Sequence, residues 1–138
     1  MLGLFRATGH VLAAMPFLAI PMVLYILAGQ FGSHDALVYG ARLPSEAYVG
    51  LTAGAGLVFI GIACLMLEAL KATHTGTRGL VDQTLSVFLL GGAGVAFLLI
   101  PAFGTITFAL LLALQLADVL MGAVIGIKVA RRDIGLNA

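Results

Sequence analysis

The chain has 138 residues, of which 62% are hydrophobic and only 9% charged, with a formal net charge of +1. A soluble domain of this length needs far more polar surface, so the composition points to lipid as the medium around most side chains and leaves no room for a separate soluble domain. Near-neutral charge with basic residues at segment ends gives no groove-binding patch and excludes nucleic acid as a partner.

Four apolar runs follow one another, at about 10–30, 47–70, 80–100 and 105–127, with short polar breaks between them. Each is close to the roughly 20 residues a helix needs to cross a hydrocarbon core. An alternating barrel pattern is absent, so the runs predict helices. The first run follows Arg6 and exceeds a signal-peptide core, which predicts an uncleaved span. Residues 32–44 form the longest break, 71–79 a shorter one and 101–104 a tight turn. Short connections make neighbours antiparallel. Arg6, Lys71, Arg78, Lys128, Arg131 and Arg132 fall on one side of the implied membrane and Arg42 alone on the other, which predicts both termini on the cytoplasmic side. The expected fold is therefore an all-α integral membrane protein, a single membrane domain over 1–138 built as an antiparallel four-transmembrane-helix bundle.

The polar residues inside the runs carry what chemistry there is. Asp118 lies nine residues before Ile127, or about 13 Å along a helix, which is near the membrane midplane. A carboxylate there costs ~2.5–3.5 kcal/mol on insertion scales, so it should face the other helices and find a partner. Thr107, Leu111, Gln115, Asp118, Gly122 and Gly126 recur at helical spacing and define the inward stripe. Gly61, Gly91 and Gly92 are expected near the level of Asp118. Pro16 and Pro21 should free the carbonyls of Leu12 and Phe17. Two readings stay open: a proton or cation site of Asp118, Gln115 and freed carbonyls, and a buried hydrogen bond that holds the bundle, which is favoured.

Glu68 should pair with Lys71 at i,i+3 in the headgroup zone, and Asp82 should be a helix-start charge. Convergence of Glu68, Asp82 and Asp118 would instead make a half-pathway for protons. Gly50-x-x-x-Gly54 and Gly122-x-x-x-Gly126 match the small-residue pattern of close helix packing. Tyr25, Tyr39 and Tyr48 fit an outer interface belt, while Lys128, Arg131 and Arg132 should carry the last helix into anionic lipid headgroups, with Gly135 as a stop. His10, His34 and His74 are scattered, and Cys64 stands alone in an apolar run, so neither a metal site, a disulfide nor a cofactor is expected. Ser33 and Ser86 have no visible base partner, and no catalytic set is expected.

From Glu68 onward the chain resembles a group of small multi-pass bacterial inner-membrane proteins of uncharacterised role. The resemblance rests on Glu68-Ala69-Leu70-Lys71, Thr75-Gly76, Leu85-Ser86, Phe103-Gly104-Thr105-Ile106-Thr107-Phe108, Asp118-Val119 and the ending Ala130 to Gly135. It covers about half the chain and implies a bacterial inner membrane, with no activity, substrate or cofactor attached. The expected function is a structural or accessory membrane protein that packs with itself, as a homo-oligomer, or with a larger complex; the alternative is a small proton or cation channel or transporter using Asp118.

Overall fold

The computed structural model describes residues 15–72 and 77–136; the side chains of residues 77–78, 129–130 and 132–136 lie outside the description. The expectations placed on Arg6, His10, Leu12, His74, Thr75 and Gly76 fall outside the described residues. Helix α1 spans Ala19–Phe31, α2 Ala53–Ala72, α3 Thr77–Leu99 and α4 Ile106–Leu136. Three of these, α2, α3 and α4, are long and apolar enough to cross a membrane. The chain is mostly helical, as its composition requires.

The first run departs from the predicted span at its start. Among the described residues the helix begins at Ala19, and its Pro21 falls in the first turn, where a backbone N–H has no intrahelical acceptor to lose. The Phe17 carbonyl is not free either, because the Ile20 N–H donates to it at 3.0 Å. At 13 residues α1 is about 20 Å long, yet the segment containing it reaches both ends of α2. Lys71 Nζ donates to the Met15 carbonyl at one end, and the Gly54 N–H donates to the His34 carbonyl at the other. The described residues before Ala19 are a turn, with the Ala19 N–H donating to the Pro16 carbonyl at 3.0 Å, and they carry the segment on to Lys71.

The second run departs from the all-α expectation. Its start, with the preceding break, folds as an antiparallel hairpin: β1, Leu37–Arg42, pairs with β2, Tyr48–Thr52, with a bulge between Leu37 and Tyr39. Val38, Tyr39, Tyr48, Val49 and Thr52 favour strands. Pro44 sits at the position of a tight turn that wants its fixed φ, with the Glu46 N–H donating to the Leu43 carbonyl. Glu46 then takes φ +64°, the left-handed residue that closes a three-residue hairpin loop. Gly50 is therefore a strand residue, and Gly50-x-x-x-Gly54 is not a helix-packing pair. Gly135 does not end α4, which continues to Leu136.

Helix α4 is the hub, packing against α2, α3 and α1. Its inward face repeats at three and four residues through Phe108, Leu111, Gln115 and Asp118, and α2 answers with Gly54, Leu57, Gly61, Cys64 and Glu68. The apolar centre is Met22, Tyr25, Leu57, Ala93, Phe108 and Leu111. Gly61 lets the two helices close, since a Cβ there would come within 2.8 Å of Leu114 and 3.1 Å of Leu111. Gly54 does the same for Thr107, and Gly122 for Gln83.

Candidate functional site

At the end of the bundle carrying Lys71, four described charged side chains meet. On α2, Glu68 and Lys71 lie one turn apart, so the carboxylate and ammonium reach each other at 3.0 Å. Lys71 also reaches across to Asp82 of α3 at 2.7 Å, and its remaining donor goes to the Met15 carbonyl at 3.1 Å. An ammonium has three donors, and these three acceptors use them all. The Phe17 ring lies 4.7 Å from Lys71 Nζ, close enough for a cation–π contact, and the Phe17 N–H donates to the second oxygen of Glu68.

Glu68 makes the pair with Lys71 that its spacing predicts, and it is 2% exposed. Burial follows from its place on the inward stripe of α2, and it survives because each oxygen has a donor. Asp82 is not a helix-start charge, since α3 begins five residues earlier at Thr77 and turns Asp82 inward to Lys71.

One turn deeper on α3, Ser86 follows Asp82 on the same face and meets Asp118 of α4, whose carboxylate accepts the Ser86 hydroxyl. Asp118 is 7% exposed and Gln115 0%. The Gln115 amide donates to the Ser86 carbonyl at 3.3 Å and to Asp118 Oδ2 at 3.4 Å, both long, while its own Oε1 is enclosed without a hydrogen-bond partner. Ser86 thus does have an acidic partner. The spacing of four puts Asp82 and Ser86 on one face of α3, but which helix that face meets is not in the spacing. No described residue closes on Gly91 or Gly92, as a close helix contact there would require: a Cβ on either would meet nothing within 4 Å, and the same holds for Gly94 and Gly126.

The opposite end is uncharged at its centre. Tyr25, expected in an outer interface belt, lies at this end but is only 2% exposed; its hydroxyl pairs with Thr105 Oγ1 at 2.7 Å and donates to the Ala102 carbonyl at 3.0 Å. Its ring stacks on His34 at 3.9 Å and touches Phe103 and Phe108. Tyr39 and Tyr48 are exposed, on the hairpin. Thr107 packs on Gly54 at this end, about 12 Å along α4 from Gln115. Leu57, Phe108 and Leu111 fill the interval.

Lys128 and Arg131 are exposed near the end of α4, and the Arg132 side chain lies outside the description. Cys64 is buried. Among the described residues no three His, Cys, Asp or Glu side chains gather as a transition-metal site would require. Neither models of protein families, nor curated proteins, nor solved structures give a match to this chain.

Proposed function

We propose that the chain is a structural or accessory protein of the bacterial inner membrane, crossing it four times with both termini cytoplasmic, and that it associates with a second copy or a larger membrane complex through α3. The bacterial location rests on the resemblance from Glu68 to Gly135, and the orientation on the basic residues of the Lys71 end. Membrane lipids cover the rest, with Lys128, Arg131 and Arg132 meeting headgroups. No catalytic step and no cofactor belong to this reading.

The observation that carries it is the open face of α3. Gly91, Gly92 and Gly94 each cost a helix about 1 kcal/mol relative to alanine, and none gains a close approach among the described residues. Around them Phe88, Val95, Leu98 and Leu99 are all more than half exposed. Bare backbone on a membrane helix is the surface against which another helix packs most closely. The apolar layer of Leu57, Phe108 and Leu111 speaks against ion passage through one copy, because a buried ion there would have no ligand.

The test is the mass of the particle in nanodiscs and several mild detergents, for the native chain and for Gly91→Leu with Gly94→Leu. The native chain should give a dimer or larger complex and the double variant a folded monomer. A native chain that is monomeric throughout overturns the reading.

A further inference from the structure

We propose that Asp118, Gln115 and Ser86 form a binding site for one monovalent cation of sodium's size. The inference is independent of the association reading, since all three residues lie within one copy. It starts from the charges. Glu68, Asp82 and Asp118 share one end of the bundle, and among the described side chains there only Lys71 opposes them. The three donors of Lys71 are taken by Glu68, Asp82 and the Met15 carbonyl, so Asp118 is left with the neutral donors Ser86 and Gln115. Among the described side chains no cation touches this enclosed carboxylate, and Lys71 acts on it only from a distance.

The second observation is independent of the charges. Gln115 is fully buried, and its Oε1 has no hydrogen-bond donor although the same amide touches both Asp118 and Ser86. A half-turn of that amide exchanges its nitrogen and oxygen without moving any other atom. Oε1 then stands 3.3 Å and 3.4 Å from the Ser86 carbonyl oxygen and Asp118 Oδ2, the distances now spanned by Nε2. Three oxygens so placed repel one another unless a cation lies between them.

The spacing selects the cation. An ion of calcium's size holds oxygens at about 2.4 Å, and two ligands at right angles are then about 3.4 Å apart; magnesium, at about 2.0–2.1 Å, brings them to roughly 2.9 Å. Sodium has calcium's size with half its charge. A single carboxylate joined by amide, carbonyl and hydroxyl oxygens suits one positive charge, whereas a divalent ion would draw on more carboxylates. A proton shared between Asp118 and Gln115 fits less well, because an O–H···O bond wants about 2.7–2.8 Å. Ser86 lies one turn from Asp82, which is part-exposed beside Lys71, so the acidic end offers an approach to the site.

The experiment follows thermal unfolding of the protein in nanodiscs holding one copy, with sodium chloride raised against choline chloride at constant ionic strength and fixed pH, and with potassium chloride as a parallel series. The expected result is a melting temperature that climbs with sodium, climbs little with potassium, and loses its sodium dependence in Gln115→Leu and Asp118→Asn. Broadening of the sodium-23 resonance by the native protein and its loss in Gln115→Leu is the second readout. Should Asp118→Asn fail to fold, Ser86→Ala keeps the carboxylate and the carbonyl and should still blunt the sodium response. Equal melting temperatures in sodium and choline overturn the proposal. So does a response to pH alone that sodium leaves unchanged, which would make Asp118 a proton site.

Discussion

The two ends of this bundle bury polar groups by different means. At the Lys71 end, three helices and the stretch before α1 each contribute to one ion cluster: Glu68 and Lys71 from α2, Asp82 from α3, Asp118 from α4, Met15 and Phe17 from the chain entering α1. At the hairpin end a single phenol, Tyr25, binds the turn between α3 and α4 through Thr105 and Ala102, and aromatic rings supply the rest. The difference is one of interdependence. Removing one partner at the charged end strands a charge away from water, whereas at the neutral end it strands a hydroxyl and a carbonyl.

The largest effect should therefore come from Lys71→Met. The change removes the counter-charge of a fully buried Glu68 and a largely buried Asp82 while keeping most of the side-chain volume. Breaking a buried pair costs about 3–5 kcal/mol, measurable by unfolding in bicelles. Adding Glu68→Gln and Asp82→Asn to Lys71→Met should recover much of the loss, because no buried charge then lacks a partner. A triple variant less stable than Lys71→Met alone would break the comparison.

The same contrast explains what could be read from the sequence. Asp118 and Gln115 stood out because a carboxylate deep in an apolar run has to face inward, and the spacing of Phe108, Leu111, Gln115 and Asp118 gave its stripe directly. The link from Glu68 to Lys71 followed from their spacing of three. The link from Lys71 to Asp82 and Phe17 did not, since it depends on which helices lie side by side and on how the chain enters α1. Tyr25 lies at the end where the interface belt put it, but its burial was not legible for a related reason: its partner Thr105 is eighty residues away. The hairpin was hidden by its apolar composition, which began the second run at residue 47 instead of Ala53 even though Pro44 and the β-branched and aromatic residues around it favour a hairpin.

At the neutral end, Tyr25→Phe should cost less than Lys71→Met. The ring, its stacking on His34 and its contacts with Phe103 and Phe108 survive. What disappears is the bond to Thr105 and the one to the Ala102 carbonyl. Each is worth about 0.5–1.5 kcal/mol, so the loss should be about 1–3 kcal/mol in the same unfolding assay. A cost as large as that of Lys71→Met would mean that the two ends do not differ in the way argued.

The smallest effect is expected outside the bundle, in the hairpin. Glu46 holds φ +64°, a conformation in which a side chain crowds the following carbonyl by about 1–2 kcal/mol and glycine does not. Glu46→Gly relieves that crowding but gives the unfolded chain more conformations to occupy, a penalty of about 0.4–1 kcal/mol. The difference should leave the variant slightly more stable, by less than about 1 kcal/mol. Because Glu46 is exposed and neither end's hydrogen bonds involve it, the sodium response and the effects of Lys71→Met and Tyr25→Phe should be unchanged in its background. Amide exchange at Leu43 and Glu46, whose N–H groups close the turn, should slow in the variant. Faster exchange there would mean that the left-handed residue is not what closes this hairpin.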